Sequence, residues 1–247
     1  MGPVTLLVIF LLVNVSRAAN TLPLPSYITA CRRNDPNINQ CALQAAKDTL
    51  PRLANGERSY GLRPLDPLEV SEIKISERNG LNLGLKNAKI HGLTKGIIEK
   101  VNVDLKKQKI HVEVKIPHLK VEGKYSINGR LLLLPIKGEG DISINMYDVI
   151  TKGDLLFTLE NRNGKEYMKV TETALHYEPT NENFLLTNLF NGDKALGERM
   201  NEVLNDNWRE VHKELSPTVR TILQRFFSNI ISSLADKVLY DEIFLPS

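Results

Sequence analysis

What this chain of 247 residues lacks first is catalytic signature. It has no nucleophile elbow of the GxSxG kind, no HExxH, no phosphate-binding P-loop and no GxGxxG after a strand pattern. Its five histidines, His91, His111, His118, His176 and His212, are scattered without the spacing of metal ligands. Gly138-Glu139-Gly140 reads as a bend or bulge between strands. Glu210 and Glu214, four residues apart, read as a solvated helix face. These absences argue against an enzyme and imply neither cofactor nor metal. Net charge is also small: 32 Lys and Arg against 29 Asp and Glu leave a formal +3, which argues against a nucleic-acid partner. Past the amino terminus no segment approaches 18 consecutive apolar residues, so none reads as a membrane span.

Cysteine is scarce as well, and its context decides its meaning. Val4 to Val15 is a mostly apolar run, too short to cross a bilayer, followed by the small-x-small pattern Ser16-Arg17-Ala18. Residues 1–18 therefore read as a secretory signal peptide, and residues 19–247 as the mature, extracellular domain. The one glycosylation sequon, Asn14-Val15-Ser16, falls inside the signal. In an oxidising compartment the two cysteines, Cys31 and Cys41, predict a disulfide. Closing so short a loop is worth roughly 3 kcal/mol at most, enough to staple the amino-terminal segment and not the whole fold.

What is present is periodicity. From Asp193 to about Val238, apolar residues recur every three or four positions: Leu196, Met200, Val203, Leu204, Trp208, Val211, Leu215, Val219, Ile222, Phe226, Ile230, Leu234 and Val238. That is one face of a long helix, broadened after Pro217 by Leu223, Phe227 and Ile231. At 1.5 Å per residue it would span about 69 Å, more than the ~45 Å of a compact sphere of this length. The helix must bend or the molecule must be elongated. Ser216-Pro217 is the expected kink, because proline removes a helix hydrogen bond and clashes with the preceding turn. The stripe keeps phase across it, so the prediction is a kinked continuous helix.

Cys41 to Leu53 predicts a short amphipathic helix ended by Pro51 and Asn55-Gly56, and Gly61 to Pro67 an extended linker. From Leu68 to about Tyr177 the period becomes two. Ile110, Val112, Val114 and Ile116 face one way and Lys109, His111, Glu113 and Lys115 the other. After an expected turn at Pro117 the alternation resumes with Leu119, Val121, Tyr125 and Ile127. Val101, Val103 and Leu105 form another run, as do Ile142, Ile144 and Met146, then Leu155, Phe157 and Leu159, then Met168 and Val170. A phase change near Lys86-Asn87 predicts a bulge. Hairpin turns are expected at Asn79-Gly80, Asn128-Gly129 and Asn161 to Gly164.

A polar-out, apolar-in antiparallel sheet and an apolar-striped helix each need a cover. The fold class that serves both is α+β: a strongly curved antiparallel sheet wrapped around the long carboxy-terminal helix, as one elongated domain. Its interior would be long, narrow and aliphatic. The inward positions on the sheet are Val112, Val114, Ile116, Val121, Tyr125, Ile142, Ile144, Met146 and Phe157. Facing them on the helix are Trp208, Val211, Leu215, Val219, Ile222, Leu223, Phe226, Phe227 and Ile230. These are the candidate ligand-binding residues, and ordinary core packing is the competing reading for each. Tyr125 and Trp208 stand out because each brings a polar atom into that interior. The Lys86–Lys124 stretch, with ten lysines, reads as the solvated outer face of strands, or alternatively as a face that docks on anionic membranes in lipid transfer.

Taken together, these features resemble the insect takeout and juvenile-hormone-binding proteins. The resemblance runs over nearly the whole mature chain. It rests on the pair Cys31 and Cys41, on Pro64-Leu65-Asp66-Pro67 within the linker, and on Asn205-Asp206-Asn207-Trp208 in the long helix. It implies a tunnel enclosed by sheet and helix that carries a lipophilic partner: a terpenoid hormone, a fatty-acid-like molecule or a prenylated lipid. The haemolymph hormone carriers of moths add a second disulfide, which two cysteines cannot form, so this chain looks more like the takeout branch. The alternative is a secreted interaction or signalling protein whose core is filled.

Overall fold

In a computed structural model, which describes residues 21–76 and 80–246, two very long strands set the architecture. The expected signal peptide, and Asn79 of the expected first hairpin, lie outside those residues. The elements begin with β1 (Cys31–Arg32) and α1 (Ile38–Thr49), followed by a 3-10 segment at Leu50–Asn55. Next come β2 (Leu68–Ser76), β3 (Asn82–His91), β4 (Ile97–Asp104), β5 (Lys109–Leu131), β6 (Leu134–Arg162), β7 (Lys165–Glu178) and β8 (Asn181–Leu186). The chain closes with α2 (Lys194–Asp206), α3 (Trp208–Ala235), α4 (Tyr240–Ile243) and β9 (Phe244–Leu245).

β5 and β6 run for 23 and 29 residues, several times the usual strand length. Strands this long cannot stay flat, because each residue adds right-handed twist. Each long strand shares its outer edge between two partners. β4 pairs with the first part of β5 and β3 with the last, while β7 and β8 divide β6 in the same way. β2 completes the sheet on β3. The helix α3 runs along β7 and closes the concave face.

Several expectations need correction. No turn occurs at Pro117, which lies inside β5. The β4 pairing of β5 ends at Lys115 and the β3 pairing starts at Lys120, so that edge does not need the N–H proline lacks. Opposite it, Asp148 has φ of 46°, and both strands change phase together, keeping Ile116 and Leu119 on the same apolar face. The runs at Ile142–Met146 and Leu155–Leu159 belong to the single strand β6. Asn128-Gly129 is not the hairpin turn either. The ladder continues to Leu131 and turns at Leu132-Leu133, with φ of 52° and 67°. A left-handed leucine costs about 1–2 kcal/mol, and Leu133 is 89% exposed, so nothing local announces this turn. Gly138-Glu139-Gly140 continues β6 without a bend. A Cβ at Gly140 would lie 2.5 Å from the Thr187 carbonyl, so glycine there lets the segment after β8 cross closely. The bulge at Asn87 and the hairpin at Asn163-Gly164 are where the periodicity puts them.

The helix breaks ten residues before the expected place. Pro217 sits within an uninterrupted α3, and the interruption is Asn207, at φ −113° and ψ 33°. The reason lies in the asparagines around it. The Asn205 amide accepts from Phe184 N–H (2.7 Å) and donates to Phe184 C=O (2.9 Å). Asn201 does the same with Leu186, at 2.9 Å each way. Two side chains one turn apart thus stand in for a further strand on β8, covering an edge that would otherwise be open. α2 is fixed to β8 by these bonds, and α3 follows a different line along β7. At the start of α2, Asp193 caps by accepting from Leu196 N–H (3.0 Å).

The amino-terminal segment closes the opposite end. Cys31 and Cys41 are disulfide-bonded, tying β1 to α1, and β1 pairs in parallel with β9. The helix expected from Cys41 starts three residues earlier, at Ile38. In the linker, the Asp66 carboxylate accepts from Gly92 N–H (3.0 and 3.1 Å) and the Thr94 hydroxyl (3.0 Å). The proline-rich segment is thereby pinned to the β3–β4 connection.

Candidate functional site

The concave face of the sheet and α3 form two apolar surfaces opposite each other, packed tightly at their ends and less so between. At one end Tyr125, Ile142, Phe184, Leu204 and Val211 belong to one fully buried cluster, with Trp208 and Leu215 packed on it. At the other, Phe157, Met168, Ala235, Tyr240 and the disulfide residue Cys31 form a second. Between Val211 and Ala235, no apolar residue of α3 is fully buried. Val219 and Leu223 touch a small cluster around Ile116, Val149 and Tyr177, and Phe226 and Ile230 touch another around Leu68 and Ala88. Across from them, Val112, Val114, Val121, Ile144 and Met146 are likewise only partly buried, though all point inward. Interiors packed to normal density leave such side chains little accessible surface.

The predicted lining residues therefore divide in two. Ile116, Tyr125, Ile142, Phe157 and Val211 are fully buried in clusters, and Trp208 and Leu215 pack against the first of these. The other eleven, five on the sheet and Val219, Ile222, Leu223, Phe226, Phe227 and Ile230 on the helix, keep accessible surface. The Tyr125 hydroxyl is engaged, donating to the Thr187 carbonyl at 2.6 Å, and burial pushes its pKa up to about 12. Glu214, expected on a solvated face, accepts from Leu132 N–H at 3.1 Å and holds the strained hairpin to α3.

A polar cluster missed by the periodicity interrupts the apolar surface near the start of α3. His212 and Glu182 are both buried, with Nδ1 and Oε1 at 2.8 Å. Glu178 lies 3.9 Å from the other ring nitrogen, and the Tyr177 ring meets the imidazole edge-on at 5.1 Å. Burial raises the Tyr177 pKa strongly, Glu182 and Glu178 add to the shift, and Arg220 opposes it. The one available signal was that His212, Ser216 and Arg220 fall four residues apart on the helix, breaking into its apolar stripe.

The outer face is polar and largely self-neutralised. Lys109 and His111 meet Asp154 (3.2 and 2.8 Å), Lys100 meets Glu113 (3.3 Å), and Lys115 meets Asp148 (3.0 Å). A cleft of about 370 Å³ opens there beside the Asn87 bulge, bordered by Lys89, Glu122, Lys124 and Asp141. Lys124 pairs with Asp141 and Lys89 with Glu69, so its charges are already matched. Among the described residues no group of three or more His, Cys, Asp or Glu could hold a metal ion, and no helix is long and apolar enough to cross a membrane.

With this geometry in view, comparison with known proteins is specific. Residues 6–245 match the model of the family described as haemolymph juvenile hormone binding protein. The chain is 29% identical over 233 residues to the circadian clock-controlled protein daywake of Drosophila melanogaster, covering 89% of this chain and 88% of that one. The daywake protein of Drosophila yakuba is 28% identical over 231 residues, with the same coverage. Among solved structures, takeout 1 of Epiphyas postvittana superposes with a TM-score of 0.79 at 28% identity, covering 88% of this chain and all of that one.

Proposed function

We propose that this chain, which belongs to the haemolymph juvenile hormone binding protein family, is a secreted carrier that holds a hydrophobic small molecule between its curved sheet and α3. The observation that carries the reading is the pair of facing apolar walls that do not bury each other. Val112, Val114, Val121, Ile144 and Met146 form one wall, and Val219, Ile222, Leu223, Phe226, Phe227 and Ile230 the other. Ile116, Tyr125, Ile142, Phe157, Trp208, Val211 and Leu215 bound that space through the clusters they join. Binding needs no reaction: apolar surface leaving water is worth about 25 cal/mol per Å².

The ligand class is a terpenoid hormone, a fatty-acid-like molecule or a prenylated lipid. Aliphatic walls separate these weakly, since one methylene is worth only about 1–3 kcal/mol. Residues 1–18 act as the secretory signal and 19–247 as the single mature domain. A disulfide at Cys31–Cys41 suits that compartment. The test is native mass spectrometry of protein secreted from insect cells, followed by solvent extraction. A stoichiometric adduct that moves into solvent is the expected result. Bare protein that also takes up no hydrophobic probe on titration would overturn the reading and favour a filled-core interaction protein.

A further inference from the structure

Arg220 is a partly buried charge that, among the described residues, forms no ion pair. It lies on α3 four residues after Ser216 and eight after His212, the stripe of the helix that faces the polar cluster. Its Nε is buried and has no hydrogen-bond partner. The two carboxylates that reach this cluster are committed elsewhere, Glu182 at 2.8 Å and Glu178 at 3.9 Å from the nitrogens of His212. Among the described residues no carboxylate forms an ion pair with the Arg220 guanidinium, whereas Arg33, whose Nε is also unpartnered, meets Asp241, and Arg162 meets both Glu160 and Asp236. A guanidinium stays charged at any pH a protein survives, and a buried donor left unmade is costly. Arg220 is near enough to Tyr177 for its charge to act on the phenol.

Its place along the helix is as informative as its chemistry. Before it come His212 and Ser216, both buried and polar. After it come Leu223, Phe226, Phe227 and Ile230, all apolar and partly buried. Val219 and Leu223, on either side in sequence, pack against the Tyr177 cluster. Arg220 thus marks the boundary between a polar end and an apolar run.

We infer that Arg220 is the head-group anchor of the carrier: it binds the carboxylate of a long-chain acid whose tail lies along Leu223, Phe226, Phe227 and Ile230. The inference rests on the carrier reading above and narrows its ligand class. A guanidinium matches a carboxylate with two parallel hydrogen bonds, and an ester offers no charge to complete them.

The test titrates cis-parinaric acid and its methyl ester, followed by fluorescence, into wild type, Arg220→Gln and, as a control, Lys213→Gln on the exposed face of α3. Circular dichroism melts check that each variant is folded. The two probes differ in water solubility, so the quantity read is the change in their affinity ratio between proteins. A charge-assisted hydrogen bond is worth about tenfold or more in affinity, so Arg220→Gln should lower the acid-to-ester ratio at least that far while Lys213→Gln leaves it alone. An unchanged ratio in folded Arg220→Gln, with both probes still bound, would overturn the anchor and leave the carrier reading standing. Binding of neither probe to wild type would overturn the carrier reading, and the anchor with it.

Discussion

Enlarging Val121 separates an open interior from a filled one. Val121 lies mid-sheet on β5, in a row with Ile90 on β3 and Ile144 on β6. All three are partly buried, and Val121 points toward α3. In a core packed to normal density, Val121→Phe forces side chains off their rotamers and costs about 1–3 kcal/mol. For a domain of this length that lowers Tm by about 2–12 °C. If the space above Val121 is unfilled, the ring extends into it without strain. It then gains about 0.8 kcal/mol for each further CH2 equivalent it buries. Tm should therefore hold or rise by a few degrees, about 2–4 °C per kcal/mol. The ring now occupies volume a ligand needs, so affinity for a hydrophobic fluorescent probe should fall about tenfold, the equivalent of 1.4 kcal/mol. The assay pairs thermal melts with probe titration on delipidated protein. A drop in Tm of several degrees with probe binding intact would refute the argument, because it is what a filled core does.

Two further outcomes follow from polar contacts. Asn205→Ala removes both hydrogen bonds to the Phe184 backbone and uncovers part of the β8 edge. It should cost about 1–3 kcal/mol, read as a lower urea midpoint with unchanged slope, and a shift below ~0.5 kcal/mol would show that β8 does not depend on α2. Tyr125 gives a pH dependence whose sign is fixed. Its phenol is pushed up from 10.0 to about 12 by burial, so the folded state keeps a proton that the unfolded chain releases. That contribution is complete below pH 10 and is lost as pH climbs toward 12, at up to about 1.4 kcal/mol per pH unit. The stability gap between wild type and Tyr125→Phe should therefore narrow on going from about pH 9 to about pH 11; parallel curves would reject the assignment.

The sequence by itself determined whatever depends on neighbours two to four residues apart. Alternation in β5 and β6 shows which side chains face inward, and the stripe from Met200 to Leu234 shows which face of α2 and α3 turns inward, although Leu196 at its start is exposed and Val238 lies beyond α3. The bulge at Asn87, the hairpin at Asn163-Gly164 and the Cys31–Cys41 pairing were legible for the same reason: each is set by local geometry or by two residues with no other partner. Tertiary structure decided the rest. Pro117 and Pro217 look like breaks, yet each sits in a continuous element, at Pro117 because the neighbouring strands change over where the N–H is missing. The helix instead breaks at Asn207, because Asn201 and Asn205 engage their amides with β8, 15 and 21 residues upstream. The turn at Leu132-Leu133 carries no turn residue, since Glu214 on α3 and the long β5–β6 ladder hold it. The pairing of His212 with Glu182, and the isolation of Arg220 beside them, required α3 to be laid against β7 and β8. Periodicity records which way a side chain points; only packing between distant elements settles whether a buried polar atom finds a partner there.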